Sequence, residues 1–143
     1  SLNTARNKGA DAAIKSQLAA LRAQAEITYD TNQCYSTAAC TASAPAVAVA
    51  AACATGNAIT ATIFSEARFY GQITSAITAS GAGFSSCAGT VGGGAWAVGV
   101  QLKGDLTKAW CVDSTGASKQ IADSVAYTQT TLDADVVGGV CGS

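Results

Sequence analysis

Thirty residues open this chain with one glycine and no proline: SLNTARNKGADAAIKSQLAALRAQAEITYD. Ala, Leu, Gln, Lys, Arg and Glu fill most of the stretch, and these side chains lose little freedom on entering a helix. Ile14, Leu18, Leu21, Ala25 and Thr28 recur at intervals of three and four, with Tyr29 beside them, which predicts one apolar helical face. A weaker band of small residues runs through Ala5, Gly9, Ala13 and Ala20, so the helix has two faces to offer. Arg22 and Glu26 stand at the i,i+4 spacing of an ion pair. Asp30, Thr31 and Asn32 end the helix. The rest of the fold must supply an apolar surface long enough to cover that stripe.

The chain has 143 residues, which is one domain's worth. Eight basic residues against nine acidic ones leave no window with the concentrated positive charge of a nucleic-acid groove. Its polar surface comes from Ser and Thr hydroxyls, which offer O-glycosylation sites, whereas no N-x-[ST] sequon occurs. The apolar run Ala44–Cys53 contains Pro45 and is far short of the roughly 20 residues that span a bilayer. No signal-peptide pattern opens the sequence, which reads as a mature chain or a trimmed fragment.

Six cysteines stand at Cys34, Cys40, Cys53, Cys87, Cys111 and Cys141, and there is no histidine to share a metal. The closest pair is separated by five residues, wider than zinc or thiol-redox spacing. Three disulfides and an oxidising compartment follow, with about 15 pairings open. Cys34 and Cys40 are open to each other or to Cys53, and loop-closure entropy favours the local pair Cys34–Cys40, leaving Cys53 with Cys87.

Further along, Ile59, Ile63, Ala67, Tyr70, Ile73 and Ile77 predict a second helix over 57–79, with Asn57 as its cap. Ser80–Gly94 reads as glycine-rich loop. From Ala95 to Lys103 the period changes to two: Trp96, Val98, Val100 and Leu102 alternate with smaller or polar residues, the pattern of a half-buried strand. Residues 109–112 and 118–121 read as strands around a DSTG turn in which Gly116 tolerates positive φ. Val136–Val140 is a candidate closing strand. The expected class is α+β: one domain over 1–143, with a helix at 1–30, loops and a short helix over 31–94, and antiparallel sheet and C-terminal loop over 95–143.

Catalytic chemistry is sparse. Without histidine the usual Ser and Cys triads lack their base. No G-x-S-x-G, G-x-G-x-x-G or phosphate-binding glycine loop occurs. Asp113-Ser114-Thr115-Gly116 resembles an aspartic-protease loop, but one such site is half a dyad and a turn accounts for it. Glu26, Asp30 and Glu66 read as solvated carboxylates. Asp123, Asp133 and Asp135 are the one acidic cluster with metal-like spacing, and they supply too few ligands for calcium. No cofactor is expected. Phe64, Phe69, Tyr70, Trp96 and Trp110 read as core, whereas a carbohydrate platform needs outward-facing tryptophan.

The opening thirty residues resemble the exposed half of the N-terminal helix of type IV pilins and pseudopilins. WCVDSTGASK at 110–119 is similar to a strand–turn–strand element of small bacterial pilins. Together the two segments cover less than a third of the chain, and the middle has no counterpart. The resemblance implies a long helix packed on a small antiparallel sheet, disulfide-stapled, with Ile14, Leu18 and Leu21 against Trp96, Val98, Val100 and Val112. It implies a Cys111–Cys141 staple. The tail from Asp123 to Gly139, polar and glycine-marked, is expected to hold its place only if tied down.

In function the resemblance implies a structural subunit of a pilus or related extracellular filament, not an enzyme. Its partners would be other pilin subunits, met through the helix of the full-length protein, and the inner-membrane assembly machinery. The family's apolar half-helix, with its leading Phe and nearby Glu, does not occur here; it would be the membrane anchor before assembly. Two alternatives stand beside this reading: a pseudopilin of a secretion or DNA-uptake machine, and a secreted adhesion or carbohydrate-binding module. Nucleic acid is not an expected partner, and the fragment is expected to be monomeric.

Overall fold

The computed structural model of the chain describes residues 1–37, 51–53 and 62–142. Helix formers run from α1, Leu2–Ala19, into α2, Leu21–Asn32. The single interruption, Ala20, keeps right-handed helical dihedrals (φ −70°, ψ −18°), so the apolar stripe stays in phase across it. Ile14, Leu18, Leu21, Ala25 and Thr28 are the buried residues of this rod. The rod stops where Gln33 turns left-handed, at φ 61°. The Arg22–Glu26 ion pair of the sequence reading is replaced: Glu26 accepts the Tyr35 hydroxyl at 2.8 Å, and the Arg22 guanidinium lies over Gly116.

The second helix is shorter than its periodicity predicts. α3 spans Ala67–Ala79, preceded by a 3₁₀ turn at Ile63–Ser65. Glu66, in extended conformation, caps it by accepting the Phe69 N–H at 2.8 Å. Asn57 and Ile59 lie outside the described residues. Of the expected line, Ile63 and Ile73 are buried and Ile77 packs against the core, whereas Phe69 and Ala76 take the places expected of Ala67 and Tyr70. Aromatic bulk decides this: Phe69 meets Trp96 edge to face at 5.0 Å between ring centroids.

Four strands form an antiparallel meander in the order β1-β2-β3-β4: β1, Ser85–Gly89; β2, Trp96–Gln101; β3, Lys108–Asp113; β4, Ser118–Ala122. β1 lies inside the segment read from sequence as loop. Its glycine, serines and alanine carry little strand signal, and pairing with β2 imposes the conformation. Gly116 sits at φ 104° in the β3–β4 turn. Ala51 bridges Cys87, exchanging both backbone hydrogen bonds, and a Cys53–Cys87 disulfide fixes that cover on the β1 edge. The expected Cys34–Cys40 bridge involves Cys40, which lies outside the described residues.

The sheet is a middle layer. Trp96, Val98, Val100 and Val112 join Ile14, Leu18, Leu21, Phe69 and Ile73 in one core on the helix side. Ala88, Ala97, Ala109, Cys111 and Ile121 form a second core on the other face with Tyr127, Leu132 and Val136 from the C-terminal segment. β2 is therefore buried at every residue, where the two-residue period predicts a half-exposed strand. The cover comes from α4, Gln129–Asp135, opened by a reciprocal cap between Thr128 and Thr131. The expected strand at 136–140 is instead a short 3₁₀ turn, Val137–Gly139, with Gly138 and Gly139 at positive φ.

Close approach of this second layer requires a missing side chain. A methyl group at Gly99 would lie 3.0 Å from Val136 Cγ2 and 3.4 Å from Leu132 Cδ1. Gly99→Val is expected to destabilise the fold by about 1–3 kcal/mol through overpacking, measured by urea denaturation, while Gly71→Ala at an open helix position does not.

Candidate functional site

The residues singled out for chemistry are built into the scaffold. Asp113 is almost fully buried on the face of the sheet that meets the C-terminal segment. One carboxylate oxygen accepts from the Thr115 hydroxyl at 2.6 Å, the Thr115 N–H at 2.9 Å and the Ala117 N–H at 3.1 Å. The other accepts the Cys141 N–H at 2.8 Å. Burial alone would raise this carboxyl's pKa, but the bonds from Thr115, Cys141 and Ala117 outweigh it and hold the pKa below the ordinary aspartate value. The group thus closes the β3–β4 turn and clamps the chain end, beside the Cys111–Cys141 disulfide.

The acidic cluster separates. Asp133 accepts from the Ser86 hydroxyl at 2.7 Å and the Gln129 amide at 2.8 Å, tying α4 to β1. Asp135 accepts the Tyr127 hydroxyl at 2.7 Å. Burial, followed by that hydrogen bond and charge, raises the Tyr127 pKa. Asp123 accepts from Ser124 at its own loop. Among the described residues no group of three or more His, Cys, Asp or Glu is arranged to hold a metal.

Neither tryptophan forms an outward platform. Trp96 is wholly buried, and Trp110 is half-buried with Lys15 Nζ 4.8 Å from its ring centroid. Tyr35, half-buried between Tyr29 and Trp96, has its pKa pushed up to about 12 by burial and by its bond to Glu26. The described helices include none long and apolar enough to cross a membrane.

The helix layer has a different character. None of the first nine residues is buried, and Ile14 is the first buried side chain of the rod. Asp11 anchors the rod just behind this overhang, accepting the Lys103 N–H at 2.7 Å and the Gly104 N–H at 3.2 Å. At the other end α3 lies beside α1 and α2 and leaves a solvent-open groove of about 490 Å³. Ala20, Ala23, Gly71 and Ser75 are its small-residue lining, with Arg68, Gln24 and Gln72 around them. Ile27, 57% exposed, stands where this groove meets two shallower ones that carry Glu26, Asp30 and Glu66. Those three carboxylates read from sequence as unrelated solvated groups; the fold gathers them around one exposed apolar side chain.

Comparison of the chain with family models, with characterised proteins and with solved structures found no significant match. The disulfides mark a protein of a non-cytoplasmic, oxidising environment.

Two outcomes test the clamp. Because the Asp113 pKa is lowered in the fold, its stabilisation is complete above the unfolded value of about 3.9 and is lost as pH falls through the folded value. Thermal melts from pH 6 to pH 2 are therefore expected to show a steeper loss of stability for the parent than for Asp113→Asn, which starts lower at neutral pH. Replacing Cys111 and Cys141 with Ser opens a loop of 30 residues and is expected to cost about 3–4 kcal/mol by calorimetry, with helical circular dichroism largely retained below the transition.

Proposed function

We propose that this chain is the globular, solvent-facing part of a structural subunit of a type IV pilus or related extracellular filament. The observation that carries the reading is the helix overhang: about two turns of well-formed helix that contribute nothing to the core of their own domain. Side chains held out in this way are available to a neighbour. Behind them, the disulfides and a sheet covered on both faces make a compact body suited to the outside of a fibre.

The role is architectural, with no reaction assigned to it. The buried Trp96 and the Lys15-covered Trp110 weigh against a carbohydrate-binding module. In the full-length protein, other subunits and the inner-membrane assembly machinery would be the partners. The location would be the cell surface, after a membrane-anchored stage. A pseudopilin has the same physical requirements and differs in the machine it serves.

Deleting the gene in the producing cell, with electron microscopy and mass spectrometry of sheared surface material, tests this. Expected are peptides of this chain in the filament fraction and loss of filaments on deletion. Lost secretion or DNA uptake with no visible filament would assign the pseudopilin role. Unchanged filaments, with the chain found only as free secreted protein, would reject the proposal.

A further inference from the structure

β4 is the end strand of the sheet, and its outer edge is open: Ser118, Lys119, Gln120 and Ala122 are exposed and only Ile121 is buried. The Asp113 N–H donates to the Ala117 carbonyl and the Asp123 N–H to the Thr107 carbonyl. Bonded pairs alternate along an antiparallel ladder, so Ala117, Lys119, Ile121 and Asp123 bond inward to β3. Ser118, Gln120 and Ala122 therefore turn their N–H and C=O groups outward, where no described residue bonds them. We propose that this edge pairs antiparallel with the same edge of a second copy, in the register that sets Lys119 of each copy opposite Asp123 of the other.

Charge selects the register. Lys119, Ile121 and Asp123 share one face of the strand, with the opposite charges equidistant from Ile121. A two-fold axis at Ile121 sets each lysine directly opposite an aspartate, at non-hydrogen-bonded positions where cross-strand side chains approach most closely. In the same register Gln120 of each copy meets Ala122 of the other, and these outward groups exchange four backbone hydrogen bonds. A slide of one residue sets outward groups against inward ones. A slide of two breaks both ion pairs, and a slide of four sets like charges face to face. Among the described residues neither Lys119 nor Asp123 has an ion-pair partner within its own chain. One Asp123 oxygen accepts the Ser124 N–H at 2.6 Å, and the carboxylate keeps further lone pairs for a lysine.

A lysine on an edge strand discourages pairing with any strand that sets no acid opposite it, so Lys119 makes the edge selective for its own kind. The helix layer leaves room. α1 packs over β3, where Lys15 lies on Trp110, and Ser118, Gln120 and Ala122 beyond it stay exposed. The rods of two paired copies would stand about 14 Å apart, three strand spacings, against about 8–10 Å for packed helices. A five-residue edge covers much less than the ~800 Å² per partner of a stable complex, so the chain stays monomeric at micromolar concentration and pairs when crowded. The contact is isologous: it joins two copies and stops, so it neither extends a fibre nor rests on the filament reading.

The test is sedimentation equilibrium of the purified chain up to millimolar concentration at low salt, with NMR of its backbone amides. Expected is a monomer–dimer equilibrium in which the Gln120 and Ala122 amides gain exchange protection as concentration rises. Lys119→Asp and Asp123→Lys each set like charges opposite and should each weaken self-association about tenfold or more. An equimolar mixture of these two variants sets both ion pairs right again and should dimerise as well as the parent. Gln120→Pro removes an outward N–H that β3 does not use, so it should remain folded by circular dichroism and lose the dimer. No association at millimolar concentration, a mixture no better than its two components, or protection gained elsewhere than on β4 would overturn the contact.

Discussion

A sheet with one bulky and one small-residue face, both covered at its inner strands, is the constraint on which this structure depends. Ala88, Ala97, Gly99 and Ala109 present little bulk to the C-terminal side, whereas Trp96, Val98, Val100 and Val112 present much to the helix side. The asymmetry dictates the partners. The bulky face takes three helices, and the small face admits a short helix close enough for Val136 to fill the space above Gly99. Neither cover holds without fixings, because the second layer is only one short helix and a turn. Asp113, Asp133 and the Cys111–Cys141 disulfide supply them, each joining the C-terminal segment to the sheet.

Where bulk and period coincide, the sequence is transparent. The interval of three and four in Ile14, Leu18, Leu21, Ala25 and Thr28 marks the buried face of the rod, because a long helix stripe has few other ways to leave water. The hairpin around Asp113–Gly116 is legible for a similar reason: turn chemistry is local. β1 is not legible, since SSCAG has no preference strong enough to outvote its glycine-rich surroundings, and only pairing with β2 makes it a strand. α4 is missed because its burial rests on Leu132 and Val136 alone, and seven residues give period too little room to speak.

The surface features were harder still. Exposure is a property of tertiary placement, so Leu2 and Ile27 look in sequence like any other apolar residue of a helix. Glu26 and Asp30 stand at i,i+4 on one helix face, but Glu66 is far along the chain and joins them only because α3 packs beside α2. What the sequence did contain was the mismatch between a helix of thirty residues and an apolar stripe that starts at Ile14. That surplus length is what sets the first turns apart from the domain behind them. It also leaves a compact, disulfide-braced body with an exposed helical surface that its own core does not use.

Hydrogen–deuterium exchange at single-residue resolution, read by NMR at neutral pH, addresses this division most directly. The amides of Leu18–Ala25 and of Trp96–Gln101 should exchange only through global unfolding, because layers on either side bury them. Those of Arg6–Gly9 should exchange orders of magnitude faster, through fraying of turns that bury no side chain. Equal protection of Arg6–Gly9 and Leu18–Ala25 in the dilute monomer would contradict the account, since the first turns would then be held by the core.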